Sequence, residues 1–344
     1  MDTPDTKFDF IAIGDITTDA FIRLVQNEAH VVETPEGRKE ICMSFGDKVP
    51  YDKVDIVRAV GNSPNASVSA ARLGLRSAII ATIGDDQNGK ECIDALEKAG
   101  VDTSFVTEQK NIETNYHYVL CYGAERTILV KHHEYDYHLG NIGEPAWLYL
   151  SSLAENSLAY HHEIAKYLGE HPTIKLAFQP GTFQMKLGYE NLKDIYQHSE
   201  LFFCNKEEAE RILKRPPSPV EKLLEGIRNL GPKITVITDG PKGAYTFDGN
   251  EMWYMPMYPD PAPPQNRTGA GDAFSSTFTS ALILGKTVPE ALAWGPINSM
   301  SVVQYIGAQR GLLARETLEA FLKNAPPEYV GKQLREKRLS YEQF

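Results

Sequence analysis

Short apolar runs alternate along the chain with stretches whose apolar residues recur at helical spacing. Most of the apolar runs end in turn residues, which is typical of buried strands that lead into loops. The pattern predicts strands at residues 8–13, 77–83, 147–150, 174–178, 201–204 and 234–238. It predicts helices at residues 66–74, 89–99, 154–168, 189–197, 206–213 and 220–229, with a further one beginning near residue 270. This alternation indicates an α/β fold, a three-layer, doubly wound and mostly parallel sheet with helices on both faces.

Two segments depart from the alternation. Residues about 22–58 and 112–138 carry short β-prone runs separated by turn residues, and the second contains a hairpin pattern. We expect the two segments to form a small sheet that projects from the main domain as a lid. The predicted organisation is one domain over residues 1–325, which includes both lid segments, and a charged C-terminal tail at residues 326–344.

The region after residue 287 is predicted to be helical. Its apolar pattern covers residues 288–305, but Gly295 and Pro296 lie in the middle and are expected to interrupt the helix. A last helix is predicted at residues 315–323.

Composition excludes several classes of function. A net charge of −11 at pH 7 argues against nucleic acid as a partner. No apolar run approaches the roughly 18 residues of a membrane span, and the first ten residues lack the apolar core of a signal peptide, so we expect a cytoplasmic protein without a membrane partner. The 4 cysteines lie far apart without C-x-x-C spacing, which argues against structural zinc and a disulfide framework.

The stretch around Asp272 is the strongest candidate for chemistry. Gly269, Ala270 and Gly271 directly precede an amphipathic run, which predicts a glycine-rich turn that opens into a helix. The free N–H groups and the helix dipole at such a terminus favour an anion such as phosphate. Asp272 would repel that anion, so we interpret it as a general base that activates an attacking hydroxyl. The alternative is a carboxylate that merely stabilises the helix start.

Other polar residues follow predicted strands or open predicted helices. Asp19 comes shortly after the first strand, where ligands bind in α/β proteins, although a turn with local hydrogen bonds would explain it equally well. Asn62 and Asn65 open a helix, either as caps or as hydrogen-bonding arms for a polyol. The stretch 84–91 lacks the Ser or Thr of a P-loop, because Glu91 follows Lys90.

With these motifs in place, the chain resembles the PfkB, or ribokinase-like, family of carbohydrate and nucleoside kinases over residues 8–323. The turn from Gly269 to Asp272 matches the family's G-A-G-D signature, and Asp19 matches its substrate-hydroxyl acid. Further matches lie in the family's sugar and nucleotide segments. They are Gly61, Asn62 and Asn65 in the sugar segment, Gly84 to Asp86 with Gly89, Asn205 and Glu208 in an N-x-x-E motif, and Thr238, Gly240 and Gly243 in a T-x-G-x-x-G turn.

The resemblance implies ATP-dependent transfer of a γ-phosphoryl group to an alcohol, with ATP and Mg²⁺ as cofactors. Asp272 would deprotonate the hydroxyl, and the turn of Gly269, Ala270 and Gly271 would stabilise charge in the transition state. Asn205 and Glu208 would hold Mg²⁺ through water.

Three further residues receive roles from the resemblance. Arg126 on the lid hairpin and Arg267 before the glycine turn are candidates to neutralise phosphate oxygens, although Arg126 is also explained as a solvated turn residue. Asn298 lies nearest the position of the family's adenine-side Asn.

The acceptor stays open between a small sugar and a nucleoside. A nucleoside kinase would stack the base on aromatic residues of the lid, but the same residues are explained by packing or by a homodimer formed through the lid. These are Tyr116, Tyr118, His132, His133, Tyr135 and Tyr137. A third interpretation is a non-catalytic sugar or nucleotide sensor on the same fold.

Overall fold

The computed structural model describes residues 8–123, 125–265 and 267–335. Within them the strands are β1 (Phe10–Ile13), β2 (Thr17–Leu24), β3 (Ala29–Glu33), β4 (Lys39–Met43), β5 (Tyr51–Val60), β6 (Ser77–Gly84), β7 (Val106–Gln109), β8 (Asn115–Tyr122), β9 (Glu125–Leu129), β10 (Trp147–Leu150), β11 (Lys175–Phe178), β12 (Ser199–Asn205), β13 (Ile234–Thr238), β14 (Ala244–Phe247), β15 (Met252–Met255) and β16 (Lys332–Arg335). The helices are α1 (Asn62–Arg72), α2 (Gln87–Lys98), α3 (Leu158–Glu170), α4 (Thr182–His198), α5 (Lys206–Ile212), α6 (Val220–Arg228), α7 (Ala270–Ile283), α8 (Val288–Val302) and α9 (Arg315–Lys323).

In the described part of the chain, ten strands form one large sheet. Its order is β16-β15-β14-β13-β12-β11-β10-β1-β6-β7. The strands from β13 to β7 in this order pair in parallel. β14, β15 and β16 are antiparallel and form one edge. The mostly parallel sheet predicted from the apolar runs is thereby confirmed.

Both faces of this sheet are buried. Along β1, Phe10 and Ala12 belong to one hydrophobic core, while Ile11 and Ile13 belong to the other. The first core contains residues of α1, α2, α7, α8 and α9, and the second contains residues of α3, α4, α5 and α6. Burial on both faces explains why the central strands are continuous apolar runs and not alternating ones.

The carboxyl ends of the parallel strands meet at one edge of the sheet, where polar residues follow directly. Asp15 lies just past β1, Gln179 just past β11, and Asn205 and Thr238 end β12 and β13. Ligands bind at this edge in open α/β sheets, so the topology defines where a functional site is to be sought.

A second sheet, of four strands in the order β5-β2-β8-β9, stands beside the first. We call it the lid sheet. It contains the predicted hairpin of β8 and β9, and it begins before the predicted start near residue 22, because β2 includes Asp19. Asp19 pairs with Val57 of β5 and with His117 of β8. A separate hairpin of β3 and β4 completes the β-rich segment.

Two features differ from the sequence-based expectations. Helix α8 continues through Pro296 without the predicted interruption. Gly295 packs against α7, since a Cβ there would lie 2.7 Å from the Phe274 ring, so the glycine provides close helix packing and not a break. Within the tail predicted from residue 326, Tyr329 is buried and Lys332–Arg335 adds β16 to the sheet edge. Residues 336–344 of the predicted tail lie outside the described residues.

Across the described ranges, no helix combines the length and apolar character needed to cross a membrane.

Candidate active site

The glycine turn before α7 is held in a tight packing environment. Gly269 is the N-cap residue, with a left-handed backbone (φ +81°). A Cβ at this position would lie 2.3 Å from the Cβ of Ala308, so glycine is required both by conformation and by space. The Ser299 hydroxyl of α8 donates to the carbonyl of Ala270 at 2.7 Å. The turn is therefore fixed from α8 and from the segment around residue 308.

Asp272, in the first turn of α7, is buried and accepts hydrogen bonds from three side-chain amides. Asn62 donates to Oδ1 at 2.6 Å, and Gln179 donates to the same oxygen at 3.1 Å. Asn65 donates to Oδ2 at 2.8 Å. Both carboxylate oxygens are thus oriented by donors from the start of α1 and from the end of β11.

The amides are positioned by their own contacts. The Gln179 side-chain oxygen accepts from Ser275 at 2.9 Å and also from the Tyr149 hydroxyl, which leaves its NH₂ group to face Asp272. The Asn65 oxygen accepts from Gln309 at 3.1 Å. Sequence reasoning missed Gln179. The available signal was its place directly after a buried strand, at the sheet edge where ligands bind.

Burial and hydrogen bonding act on Asp272 in opposite directions. Burial is the larger effect and raises the pKa of its carboxyl group above the ordinary value, while the bonds from Asn65, Asn62 and Gln179 lower that pKa. The result is a carboxylate that accepts a proton more readily than a solvated one, held in a fixed orientation. These are the properties that a general base requires.

A cavity of about 610 Å³ adjoins the N-terminus of α7. Its walls contain most of the residues predicted to bind nucleotide. These are Asn205, Glu208, Thr238, Gly240, Gly243 and Arg267, together with Ala270 and Gly271 of the turn. The volume falls in the range of small-molecule and cofactor sites.

Asn205 and Glu208 form a reciprocal cap at the start of α5. The Asn205 side chain accepts from the Glu208 N–H, and the Glu208 carboxylate accepts from the Asn205 N–H, both at 2.8 Å. Burial raises the pKa of Glu208. Among the described residues, no group of three or more His, Cys, Asp or Glu side chains is arranged around a metal position. The oxygens of Asn205 and Glu208 are of the hard type that Mg²⁺ prefers, and this pair suits contact through water.

The turn after β13 reaches the same cavity. Gly243 has φ +95°, and a Cβ there would lie 2.3 Å from the carbonyl oxygen of Met255. Its conformation and its close approach to β15 both require glycine. Arg267 and Asp260 also line the cavity. Burial raises the pKa of the Asp260 carboxyl group, and the charge of Arg267 opposes this effect.

Asp19 lies apart from this cavity, in a cluster that includes residues not predicted from the sequence. Its Oδ1 is 3.3 Å from Nδ1 of His117, its neighbour on the lid sheet. Asp15, just past β1, has its Oδ2 atom 3.6 Å from Nδ1 of His132, and its Oδ1 accepts from Tyr137 at 2.8 Å. The His117 and His132 rings are 5.1 Å apart, so the four side chains form one group.

Asn298, which the family resemblance places near the nucleotide, does not line the cavity beside α7. Asn298 is fully buried, donates to Thr277 at 2.8 Å and accepts from the Leu313 N–H at 2.9 Å. The cavity is lined by Pro296, Ser299, Met300 and Val303 of the same region. These residues follow helical spacing, and one step along the helix turns Asn298 about 100° away from them.

Arg126 lies elsewhere as well. It lines a second cavity of about 470 Å³, next to Arg23 and Asp55 of the lid sheet and Gln265 of the main domain. Arg126 is not among the residues that line the cavity beside α7. Its predicted contact with substrate therefore has no support from the arrangement of the described residues.

The aromatic residues predicted as base-stacking candidates are mostly engaged in packing. Tyr135 is fully buried, and its hydroxyl donates to the Glu113 carbonyl at 3.0 Å. Tyr137 stacks on Tyr160 of α3 with ring centroids 5.5 Å apart. Tyr118 points away from the site, on the opposite face of the lid sheet from His117.

Comparison with known proteins identifies the family of the chain. The profile of the pfkB family carbohydrate kinases matches residues 47–315. An ATP-dependent 6-phosphofructokinase of Thermoanaerobacterium thermosaccharolyticum is 24% identical over 331 residues, which cover 88% of this chain and 90% of that protein. A ribokinase of Bacillus subtilis is 27% identical over 271 residues, covering 76% and 87%.

Solved structures show the same fold. The Arabidopsis thaliana ribokinase, complexed with ribose and ATP, superposes with a TM-score of 0.75 at 17% identity, covering 92% of this chain and 99% of that one. A Methanocaldococcus jannaschii nucleoside kinase superposes with a TM-score of 0.73 at 17% identity and the same coverage.

These superpositions define a ribokinase-like fold. More particularly, the chain belongs to the pfkB family of carbohydrate kinases. Kinases of this family use ATP, and their acceptors are small molecules.

Replacing Gly269 by alanine tests the packing of the turn. The left-handed backbone should cost about 1–2 kcal/mol, and the contact with Ala308 a further 1–3 kcal/mol or so, in free energy of unfolding measured with urea. Gly285, just past the end of α7, is the matched control, because it has the same φ of +81° with nothing within 4 Å of a Cβ. Equal losses for Gly269→Ala and Gly285→Ala would contradict the close contact.

Proposed function

We propose that this protein transfers the γ-phosphoryl group of ATP to a hydroxyl of a small sugar, with Asp272 as general base. The observation that carries the proposal is the buried Asp272 carboxylate, oriented by Asn62, Asn65 and Gln179 in the first turn of α7. That helix begins at the cavity whose walls hold the nucleotide-motif residues. A base and an anion-binding helix terminus thus lie side by side, as attack of a hydroxyl on a phosphate requires.

The backbone of the turn supports the transition state. The N–H groups of Ala270, Gly271 and Asp272 have no partner in the preceding turn of the helix and carry the positive end of its dipole. In other enzymes, one such donor to a developing oxyanion contributes about 3 kcal/mol. Arg267, on the cavity wall, adds a positive charge for phosphate oxygens.

The nucleotide roles of the other motifs follow from their place on the cavity. Thr238, Gly240 and Gly243 present backbone to the nucleotide, and Gly243 cannot be replaced without meeting β15. Asn205 and Glu208 would hold Mg²⁺ through water. When bound, Mg²⁺ neutralises charge on the phosphate oxygens.

Some residues near the proposed binding site of the phosphoryl acceptor are predicted to contact it, and others orient Asp272. Gly61 precedes α1 with φ +122°, and a Cβ would lie 2.8 Å from the Asp15 carbonyl oxygen. Asn62 and Asn65 orient Asp272, and their direct contact with sugar stays a prediction. The Asp19 carboxylate is proposed to accept a hydrogen bond from a hydroxyl of the substrate. A nucleoside acceptor is the alternative, and the nucleoside kinase of the same fold supports including nucleosides in an acceptor screen.

We also propose that the protein forms a homodimer through the outer face of the lid sheet. A row of residues crosses the four strands on this face, since Ala20 pairs with Ile56 and Tyr118, and Tyr118 pairs with Leu129. Ile56, Tyr118 and Leu129 are 50%, 49% and 52% exposed. An apolar row of this kind on a sheet face suits contact with a second copy.

Replacing Asp272 by asparagine should lower kcat by roughly 10²–10⁴-fold, because the amide cannot accept the proton of the hydroxyl. The nucleotide Kd, measured by calorimetry, should stay nearly unchanged. Asp194→Asn, on the surface of α4, is the control and should keep normal kcat. Near-normal turnover by Asp272→Asn would overturn the general-base role, and absence of acceptor-dependent ATP consumption by the normal protein would favour the sensor.

The pH dependence of kcat should reflect the raised pKa of Asp272. The carboxylate is the active form, so activity is lost as pH falls through this pKa, and the acid limb should lie above the ordinary value of 3.8. Asn62→Ala removes a hydrogen bond that lowers the pKa, so the limb should move to higher pH. Asn191→Ala, on the exposed face of α4, is the control. A limb that stays in place or moves to lower pH would rule out this assignment.

The dimer is tested with charges on the lid sheet. The double variant Tyr118→Lys with Leu129→Lys should sediment as a 38.4 kDa monomer, while the unaltered protein should sediment at twice that mass. Ile128→Lys is the matched control, since Ile128 neighbours Leu129 on β9 but faces the other side, opposite Val119. A monomeric unaltered protein, or equal effects of the two changes, would count against this interface.

A further inference from the structure

Asp15, Asp19, His117 and His132 form a group, here called the Asp15 cluster, to which the proposed phosphoryl transfer at Asp272 assigns no full role. It consists of two carboxylate–imidazole pairs, Asp19 with His117 and Asp15 with His132, at 3.3 Å and 3.6 Å. The residues come from the end of β1, from the lid strands β2 and β8, and from the segment after β9. The sheet edge and the lid sheet therefore meet at this cluster.

Several polar atoms of the cluster are buried without a hydrogen-bond partner in the described ranges. They are Asp15 Oδ2, Asp19 Oδ1, His117 Nε2, His132 Nδ1 and, on the same face of β8 as His117, Asn115 Nδ2. Asp15 and Asn115 are 95% or more buried. Buried polar groups are normally satisfied, because leaving them unpaired costs free energy. A ligand that supplies hydrogen bonds to these atoms accounts for the whole set.

The pairing of groups indicates the kind of ligand. A hydroxyl group both donates and accepts, so one hydroxyl can donate to a carboxylate and accept from the imidazole beside it. The cluster offers two such pairs, with the rings of His117 and His132 centred 5.1 Å apart. Two neighbouring hydroxyls of a polyol fit this arrangement.

The charges argue against an anionic group at the same place. Asp15 and Asp19 bring two carboxylates, and in the described ion pairs each faces a histidine and not an arginine or lysine. Phosphate and carboxylate groups are usually bound by arginine or lysine. The Phe183 ring lies next to the cluster, because its edge contacts the ring of His132. Lys186 lies over this Phe183 ring, but the Lys186 side chain is exposed to solvent and is not part of the buried cluster.

We propose that Asp15 and His132, together with Asp19 and His117, form a subsite that binds the neutral, hydroxyl-bearing end of the acceptor and discriminates against acceptors phosphorylated at that end. The proposal rests on the proposed function in one respect, that the acceptor is a small polyol. Tyr137 is a positioning residue, because it donates to Asp15 Oδ1 and leaves Oδ2 for the ligand.

The first test compares neutral acceptors with their phosphates. Pentoses, hexoses and nucleosides are paired with their monophosphates at either end, as D-fructose with fructose 1-phosphate and with fructose 6-phosphate, so that one of each pair carries its phosphate away from the reacting hydroxyl. Binding is measured by calorimetry on the full chain and on Asp272→Asn, and ATP consumption is measured on the full chain. The best neutral acceptor should bind about 100-fold more tightly than its phosphate, because the phosphate would lie against buried carboxylates without a cation.

The second test uses variants of the cluster. His132→Ala should raise the acceptor KM about tenfold or more, with little change in kcat or in the KM for ATP. Asp15→Asn should reduce the preference for the neutral acceptor over its phosphate, because it removes one repelling charge. His133→Ala is the matched control, since the next residue along the segment faces Glu113 at 3.8 Å and not the cluster.

The outcomes separate the subsite from the proposed function. Tight binding of a neutral polyol without ATP consumption would contradict the kinase mechanism and keep the subsite. Tighter binding of a phosphorylated acceptor, or binding of no neutral polyol in the panel, would overturn the subsite even if kinase activity is found. An Asp15→Asn variant with unchanged discrimination would also overturn it.

Discussion

The buried carboxylate of Asp272 is the constraint on which the site depends. A charge removed from water at a helix start is unfavourable unless donors replace the water, and here three amides do so. The donors come from α1 and from the end of β11, which are distant in sequence and adjacent only because β1, β10 and β11 are neighbours in the parallel sheet. The order of the strands thus becomes a requirement of the chemistry, and a shift of either segment would leave the charge unsatisfied.

The sheet was predictable because its signal is local. Strands buried on both faces are apolar throughout, as in β1, and the sequence shows this directly. The path of α8 was not predictable in the same way. The local propensities of Gly295 and Pro296 favour a break in the helix. However, the close contact between α8 and Phe274 of α7 requires glycine at position 295, and this tertiary packing outweighs the local propensity. The final strand β16 has a charged and mostly exposed sequence with no pattern typical of a strand. It is a strand because it pairs with β15.

The same distinction applies to the site. The turns at residues 269–272, 205–208 and 238–243 were recognisable because each motif lies within a few consecutive residues. Gln179, His117 and His132 are single residues, and their contacts with the site form only when segments distant in sequence come together in the fold. Asn298 belongs to the helix that borders the cavity, but the direction of a side chain around a helix changes by about 100° per residue, so Asn298 lies in the core while its neighbour Ser299 lines the cavity.

Taken with the proposed roles, the two ends of the site have opposite electrostatic character. At one end, the start of α7 and Arg267 offer positive potential to phosphate groups. At the other, Asp15 and Asp19 lie among imidazoles and oppose negative charge. A nucleotide placed at the acceptor end would bring its phosphates against these carboxylates, while a neutral polyol gains little from the helix terminus. The charge pattern therefore favours a single orientation of the donor and acceptor, with Asp272 between the two ends.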